Sequence, residues 1–482
     1  MVYPSTFTKT ESAYLLSVRD RFRCPDEFLR YRLSGELSPD PGYFELSNGA
    51  VCYGRLVGAI RRTRPASCAP DSCASSSLGR GRLVLPFNPD EVVDNFRLER
   101  YPGCQLTGLD KALKNVYYRI RPLANAKLRS YVQRFRAANW KKRQFPQWPV
   151  DTTVEDIGDA LLLEMLRAHR IDRIPFIWFW PDGARSCVLM THDVETEAGR
   201  DYCTALRDLD DSFGIKSSFQ VVPQERYSVS QKLLGQFRNG KHELCVHGFN
   251  HDGRLFDDFD EFRRRAALIN CYAEEYGAKG FRSAVLYRRP EWLEYLRFSF
   301  DMSMPNVAHL DPQRGGCCTV MPYFIGQVLE LPLTTIQDHT LFHVLNERSI
   351  DVWKLQLELI LARNGLASFL VHPDYIIQPE AQLVYRKLLG MLNEMRGRES
   401  LWFALPGEVD SWWRQRSKMK VMREGHSWRI VGRGAERAQL AFARDVDGQL
   451  VYEFADARRD CAAGVELKRQ AADMAAPARF FA

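Results

Sequence analysis

The sequence predicts an α/β protein built on a parallel sheet or barrel. Two observations lead there. From about residue 181, apolar β-type runs alternate with amphipathic helical stretches. Polar residues able to do chemistry cluster where those runs end, and in such barrels the site forms at the C-terminal ends of the strands.

The strand candidates are Cys187-Val-Leu-Met, Ser218-Phe-Gln-Val-Val, Leu244-Cys-Val, Phe281 to Leu286, Phe298-Ser-Phe, Val328-Leu-Glu-Leu and Ser368-Phe-Leu-Val. Helical stretches are expected between them, at about Glu197 to Phe213, Phe256 to Tyr276 and Asp351 to Ala362. Asp193 and Glu195 follow the first strand and His247 the third. Arg282 and Ser283 lie on the fourth, Asp301 follows the fifth, and His372 follows the seventh.

The rest of the chain divides around this region. Residues 1–110 mix short strand-like runs (Tyr43-Phe-Glu-Leu, Ala50 to Val57) with Gly and Pro, and 66–81 are expected to be a loop. A connector, 111–180, contains a basic stretch. Residues 119–144 hold nine Lys and Arg and no acid, with Leu128, Tyr131, Val132 and Phe135 at helical spacing. This reads as a basic amphipathic helix, either packed on the main domain with a solvated face or touching an anionic membrane surface or lipid-linked phosphate. The main domain spans 181–405. Beyond it, 406–482 begin with a helix around Trp412-Trp413 and continue into a hairpin, Leu440 to Arg444 and Gln449 to Phe454, turned by Asp447-Gly448. A helix or frayed tail ends the chain.

Composition narrows the function classes. With 482 residues, 45% hydrophobic and 26% charged, the chain is long enough for two or three domains, and its net charge of +7 does not demand nucleic acid. No run approaches a membrane span, and the first ten residues lack a basic start followed by an apolar core. A cytoplasmic protein is expected, with peripheral membrane association open. Its 12 cysteines are expected to stay reduced, and Cys68 and Cys73 lack a second pair at zinc-finger spacing.

The chemistry centres on Thr191-His192-Asp193-Val194-Glu195 and His247-Gly-Phe-Asn-His251. Together they offer three ligands for a divalent metal and one spare carboxylate to act as a base. The two histidines, four apart, are expected on one side of a helical turn. Asp193 and Glu195, two apart in an extended segment, face one site. Spacing does not say which carboxylate binds the metal. Two imidazoles and a carboxylate suit zinc, with cobalt, nickel or iron also compatible. His372 ends a buried strand ahead of Pro373, a place that favours a functional role over core filling.

These motifs, in this order, resemble the polysaccharide deacetylases, the family of the NodB homology domain. The likeness is to the branch whose first motif separates its two acids by one residue, here Thr-His-Asp-Val-Glu. The family's His-x-x-x-His motif matches His247 and His251, and its arginine motif is similar to Phe281-Arg282-Ser283-Ala284. Its Leu-x-His motif matches Leu370-Val371-His372, and Phe298 to Ser303 resembles its fifth-strand segment. The resemblance implies a distorted (β/α)7 barrel over 181–405, with an N-terminal α+β extension and a small C-terminal β-containing one. It implies that Asp193 is the general base and that Glu195, His247 and His251 hold zinc. Arg282 then orients Asp193, and His372 is the general acid. Asp301, Asp338 and His339 are expected to contact substrate.

Three departures stand out. Glu195 replaces the more usual Asp. The Pro and Tyr that often follow the motif arginine are missing after Arg282. The motif containing a Trp beside an Asp has no clear counterpart, Asp338-His339 standing nearest. The function implied is removal of N-acetyl (or O-acetyl) groups from a sugar of a glycan or its lipid-linked precursor. The alternatives are hydrolysis of a non-sugar amide and a catalytically silent glycan-binding protein.

Overall fold

The computed structural model of the chain describes residues 13–58, 73–74, 77–79, 82–104, 140–425 and 427–455. The expected basic helix over 119–144 lies outside these residues, save for one 3-10 turn at Trp140–Lys142. The tail beyond 455 also lies outside them. Two short strands, Cys73–Ala74 and Ser77–Gly79, occur inside the stretch expected to be loop.

Seven of the nine strands of the main sheet make its barrel wall, Tyr323–Ile325 and Leu401–Phe403 adding to it at β6 and β1: β1 Ser186–Val194, β2 Ser218–Val221, β3 Glu243–His247, β4 Gly280–Arg282, β5 Phe300–Asp301, β6 Val328–Glu330 and β7 Leu366–Leu370. They lie in the order β6-β5-β4-β3-β2-β1-β7, every neighbouring pair parallel. All seven overlap runs expected from the sequence, but β4 ends at Arg282, with a 3-10 turn at Ala284–Leu286 where strand was expected, and β5 shares only Phe300 with its expected run, Asp301 lying in the strand instead of after it. β1 is buried along its whole length, so it shows an unbroken apolar run instead of alternation.

No ladder joins β6 to β7. The chain just past β6 closes the seam instead. The Thr335 N–H donates to the Ser368 carbonyl (3.3 Å), and the Thr334 hydroxyl donates to the Leu366 carbonyl (2.7 Å). This makeshift seam gives a distorted (β/α)7 barrel.

Between the strands run α1 Glu197–Ser212, α2 Gln231–Asn239, α3 Phe259–Tyr276 and α4 Asp351–Ala362, with α5 Pro379–Glu399 and α6 Pro406–Lys418 after β7. Thr196, Ser230 and Asp258 cap α1, α2 and α3, each side chain accepting an N–H from the first turn. The Asp258 cap explains why α3 starts three residues later than its apolar pattern suggests. Nine-residue α2 is too short for its periodicity to stand out.

The N-terminal strands and helices share one apolar core with helix Thr153–His169, with the C-terminal segments and with barrel residues such as Leu189, Phe300 and Leu366. The expected hairpin forms as Leu440–Val446 and Gln449–Phe454, with Asp447 and Gly448 both at positive φ (53° and 83°). Its first strand pairs with Ile174–Ile177. A second hairpin, Lys420–Glu424 with Ser427–Val431, precedes it; its first strand is mostly exposed, and its second is half-buried, with Trp428 and Ile430 packed on the core. Among the described residues no helix is long and apolar enough to cross a membrane.

Arg416 of α6 ties these parts together. Fully buried, it donates Nε to the Trp178 carbonyl (2.9 Å) and Nη2 to those of Ile177 (2.7 Å) and Arg21 (2.6 Å). Truncation strands these buried acceptors. Arg416→Met is therefore expected to destabilise the protein by about 2–5 kcal/mol in denaturant unfolding. The metal content of the folded fraction should stay the same, because no site residue is touched.

Candidate active site

The C-terminal end of β1 carries both carboxylates. The Tyr227 hydroxyl donates to the Val194 carbonyl (2.6 Å), and the Glu195 N–H donates to Asp374 (3.1 Å). The backbone that aims Glu195 is thus held from two sides.

His247 is the last residue of β3, and its Nδ1 contacts the Arg282 carbonyl at 3.2 Å. Donation there leaves Nε2 with its lone pair free for a ligand. The chain then turns in a way the sequence did not suggest. His247 and His251 do not share a helical turn. Gly248 at φ +61° and His251 at φ +57° reverse the loop, bringing the two rings to 5.0 Å between centroids. Arg226 secures this reversal, donating to the carbonyls of Asn250 (3.2 Å) and His251 (2.8 Å).

One ligand atom each from Glu195, His247 and His251 lies within 4.8 Å of the others. Glu195 Oε1 is 2.9 Å from His251 Nε2 and 4.0 Å from His247 Nε2. Both Nε2 atoms are buried; His247 Nε2 has no hydrogen-bond partner, and His251 Nε2 meets only the Glu195 carboxylate. A buried ring nitrogen is rarely left without a partner, and the convergence of both on a carboxylate suits a divalent cation with mixed nitrogen and oxygen ligands. Burial lowers His247 to about 4, keeping its imidazole neutral, as ligation requires. Burial by itself would raise the Glu195 carboxyl, but His251 and then His372 hold it well below the usual range.

Asp193 is placed differently. Its Oδ1 accepts from Arg282 Nη1 (2.9 Å), while Oδ2 lies 3.6 Å from His247 Nε2. One oxygen is tethered and the other faces the ligand cluster. Arg282 is itself fixed: Nη1 also reaches the Thr191 hydroxyl (2.9 Å) and Nε donates to the Met302 carbonyl (3.0 Å). Burial pushes Asp193 up, yet Arg282, His247 and His372 together outweigh it, and the carboxyl stays ionised.

His372 follows β7 on the far side of Glu195, with Nε2 3.6 Å from Glu195 Oε1. Its Nδ1 donates to Asp338 Oδ1 (2.6 Å), and its backbone N–H donates to Asp338 Oδ2 (2.7 Å). Burial opposes protonation of this imidazole, but Asp338 and Glu195 raise its pKa well above the ordinary value.

Two residues expected at substrate do other work. Both oxygens of Asp338 are taken by His372, and the side chain is fully buried. It orients the imidazole. Asp301 is buried too; its oxygens accept from the Ser303 N–H (3.0 Å) and hydroxyl (2.8 Å), and it pairs with Glu330. Burial and the Asp301 charge raise Glu330 well above its ordinary value, so Glu330 is the neutral member of the pair. His339 stays half-buried beside His343 and Tyr375, lowered by burial to about 4.

Sequence reasoning gave no role to Thr191, Arg226 or Asp374. Thr191 stood inside the first motif and Asp374 two residues after His372. Arg226 acts from a loop without pattern.

No family model and no curated relative matches this chain. Solved structures do. One described as a polysaccharide deacetylase from Mycobacterium smegmatis shares 18% identity at a TM-score of 0.40, covering 49% of this chain and 93% of that one. Another, described as a polysaccharide deacetylase from Pseudomonas aeruginosa PAO1, shares 14% at 0.38, covering 48% and 92%. An allantoinase shares 15% at 0.37, covering 48% and 92%. Likeness at this level leaves fold and activity to the chain's own geometry and residues.

The purified protein is expected to hold about one divalent metal per chain. His247→Ala and His251→Ala should each abolish this, as read by elemental analysis after dialysis. Stoichiometric metal in both variants would exclude this ligand set.

Proposed function

We propose that the protein is a metal-dependent hydrolase that removes N-acetyl groups from a sugar of a glycan or lipid-linked polysaccharide precursor. One observation carries the reading. A convergent, buried Glu195–His247–His251 cluster, its two ring nitrogens facing one carboxylate, sits between an arginine-tethered carboxylate and a carboxylate-bound imidazole. The motif resemblance supplies the substrate class.

Glu195, His247 and His251 would hold the ion, with zinc suited to the donor set. A divalent cation bound there supplies Lewis acidity to a carbonyl and makes water acidic enough to attack at neutral pH. Asp193 takes the proton from the attacking water at its free Oδ2, while Arg282 keeps Oδ1 out of the way. His372, protonated at neutral pH, gives a proton from Nε2 to the departing amine nitrogen, and Asp338 aims it through Nδ1. The reaction then yields acetate and a free amino sugar. A cytoplasmic precursor fits as substrate, and 181–405 carry the chemistry.

Acetate release from a panel of N-acetylated sugars tests the reading. Activity should fall on chelation and return with zinc. Asp193→Asn should lose on the order of 10²–10⁴ in turnover, because an amide cannot accept the proton. A full rate in this variant would remove Asp193 from the role of base.

The pH profile tests the acid. The basic limb should lie above the ordinary histidine value, because Asp338 raises His372. Asp338→Asn removes that support, so the limb should move to lower pH, with the largest loss on the alkaline side. An unmoved limb would assign it to another group.

A further inference from the structure

The N-terminal region reaches the mouth of the barrel through a buried ion pair. Glu99, just past helix Pro89–Arg97, is 5% exposed, and the Arg288 side chain is fully buried. Arg288 Nε donates to Glu99 Oε2 (2.7 Å) and Nη2 donates to Oε1. This is a two-pronged pairing across 189 residues of chain. The Gly316 N–H adds a bond to Glu99 Oε1 (2.6 Å), and the Tyr101 hydroxyl donates to the Gly316 carbonyl (2.7 Å).

Gly315 and Gly316 permit this approach. Both have positive φ (118° and 143°), and a Cβ on Gly315 would lie 2.5 Å from Glu99 Oε1.

The other end of the pair grips the segment that follows Arg282. Arg288 Nη1 donates to the Leu286 carbonyl (2.9 Å). Val285 and Leu286 have φ of +61° and +54°, conformations costly for a β-branched and a bulky residue unless the surroundings hold them. The same segment faces the site. Ser283, Ala284 and Tyr287 line a cavity with Gly248 and His251. Leu286 forms a separate apolar cluster with Leu333 and Leu370, the latter two residues before His372.

We propose that Glu99 is a positioning residue: through Arg288 it holds the 283–287 loop in the shape that receives the substrate's acyl group. The inference rests on the deacetylase reading above. The N-terminal region thereby contributes to the active site without touching the reacting atoms.

The test uses the full chain with zinc, comparing wild type, Glu99→Gln and Glu99→Asp. Three quantities are read on folded protein: metal stoichiometry, hydrogen exchange of the 283–288 peptide, and kcat and KM on an N-acetylated sugar and an aryl acetate. Glu99→Gln should keep its metal, lose protection in that peptide, and drop kcat/KM by about 10- to 100-fold. Glu99→Asp retains the charge and should recover part of both. It also serves where Glu99→Gln fails to fold.

Unchanged protection and kcat/KM in a metal-loaded variant would overturn the proposal, whatever the loss in Tm. Metal lost in step with activity would overturn it too, placing the effect at the ligands. If wild type cleaves the aryl acetate but no sugar, the sugar reading fails. The positioning role is then decided by the ester kinetics alone.

Discussion

The site depends on a guanidinium with no access to water. Arg282 is 0% exposed, and a buried charge is costly unless paired and hydrogen-bonded. Its three partners come from two strands' ends: Thr191 and Asp193 on β1, and the Met302 carbonyl just past β5. Arg282 is therefore a cross-brace through the barrel as well as the counter-charge of Asp193. The brace divides the labour between two carboxylates only two residues apart. Asp193 has one oxygen committed to Arg282, while Glu195, beyond the strand end, is left to the histidines.

The other face of β1 is braced as well. His192 bridges Asp210 (2.8 Å) and the Val371 carbonyl (3.0 Å), and the Tyr385 and Ser217 hydroxyls donate to Asp210 (2.6 and 2.7 Å). All four of these side chains are buried. The strand bearing the proposed base, Asp193, is thus fastened to the chain immediately before the proposed acid, His372. The proposed base and acid are set by one directly paired couple of strands, an arrangement in which small displacements matter to catalysis. The loops complete the site under constraint: His251 and Leu286 both sit at positive φ, and each neighbouring carbonyl or its own is held by an arginine.

The barrel was legible because a buried parallel strand writes itself as a short apolar run, and seven such runs lay between turn signals. The site residues were legible where they sat at strand ends: Asp193, His247, Arg282 and His372. The His247–His251 spacing misled, since four residues fit a helical turn as well as a loop reversed by Gly248. Asp338 was placed near the site, but its work on His372 depends on a contact 34 residues away in sequence. Asp301 looked available because a polar residue after a strand usually is; Ser303 and Glu330 enclose it. The Glu99–Arg288 pair left no trace, because no local pattern marks two charges that meet across 189 residues.

The division between the two carboxylates is the central claim, and cobalt substitution reads it most directly. Cobalt(II) absorbs according to its ligands, so titration gives stoichiometry, affinity and geometry together. Asp193→Asn should bind one cobalt per chain with a spectrum and affinity close to wild type. Glu195→Gln should bind it more weakly with an altered spectrum. The reverse pattern, metal lost with Asp193 and kept without Glu195, would contradict the account and exchange the two roles.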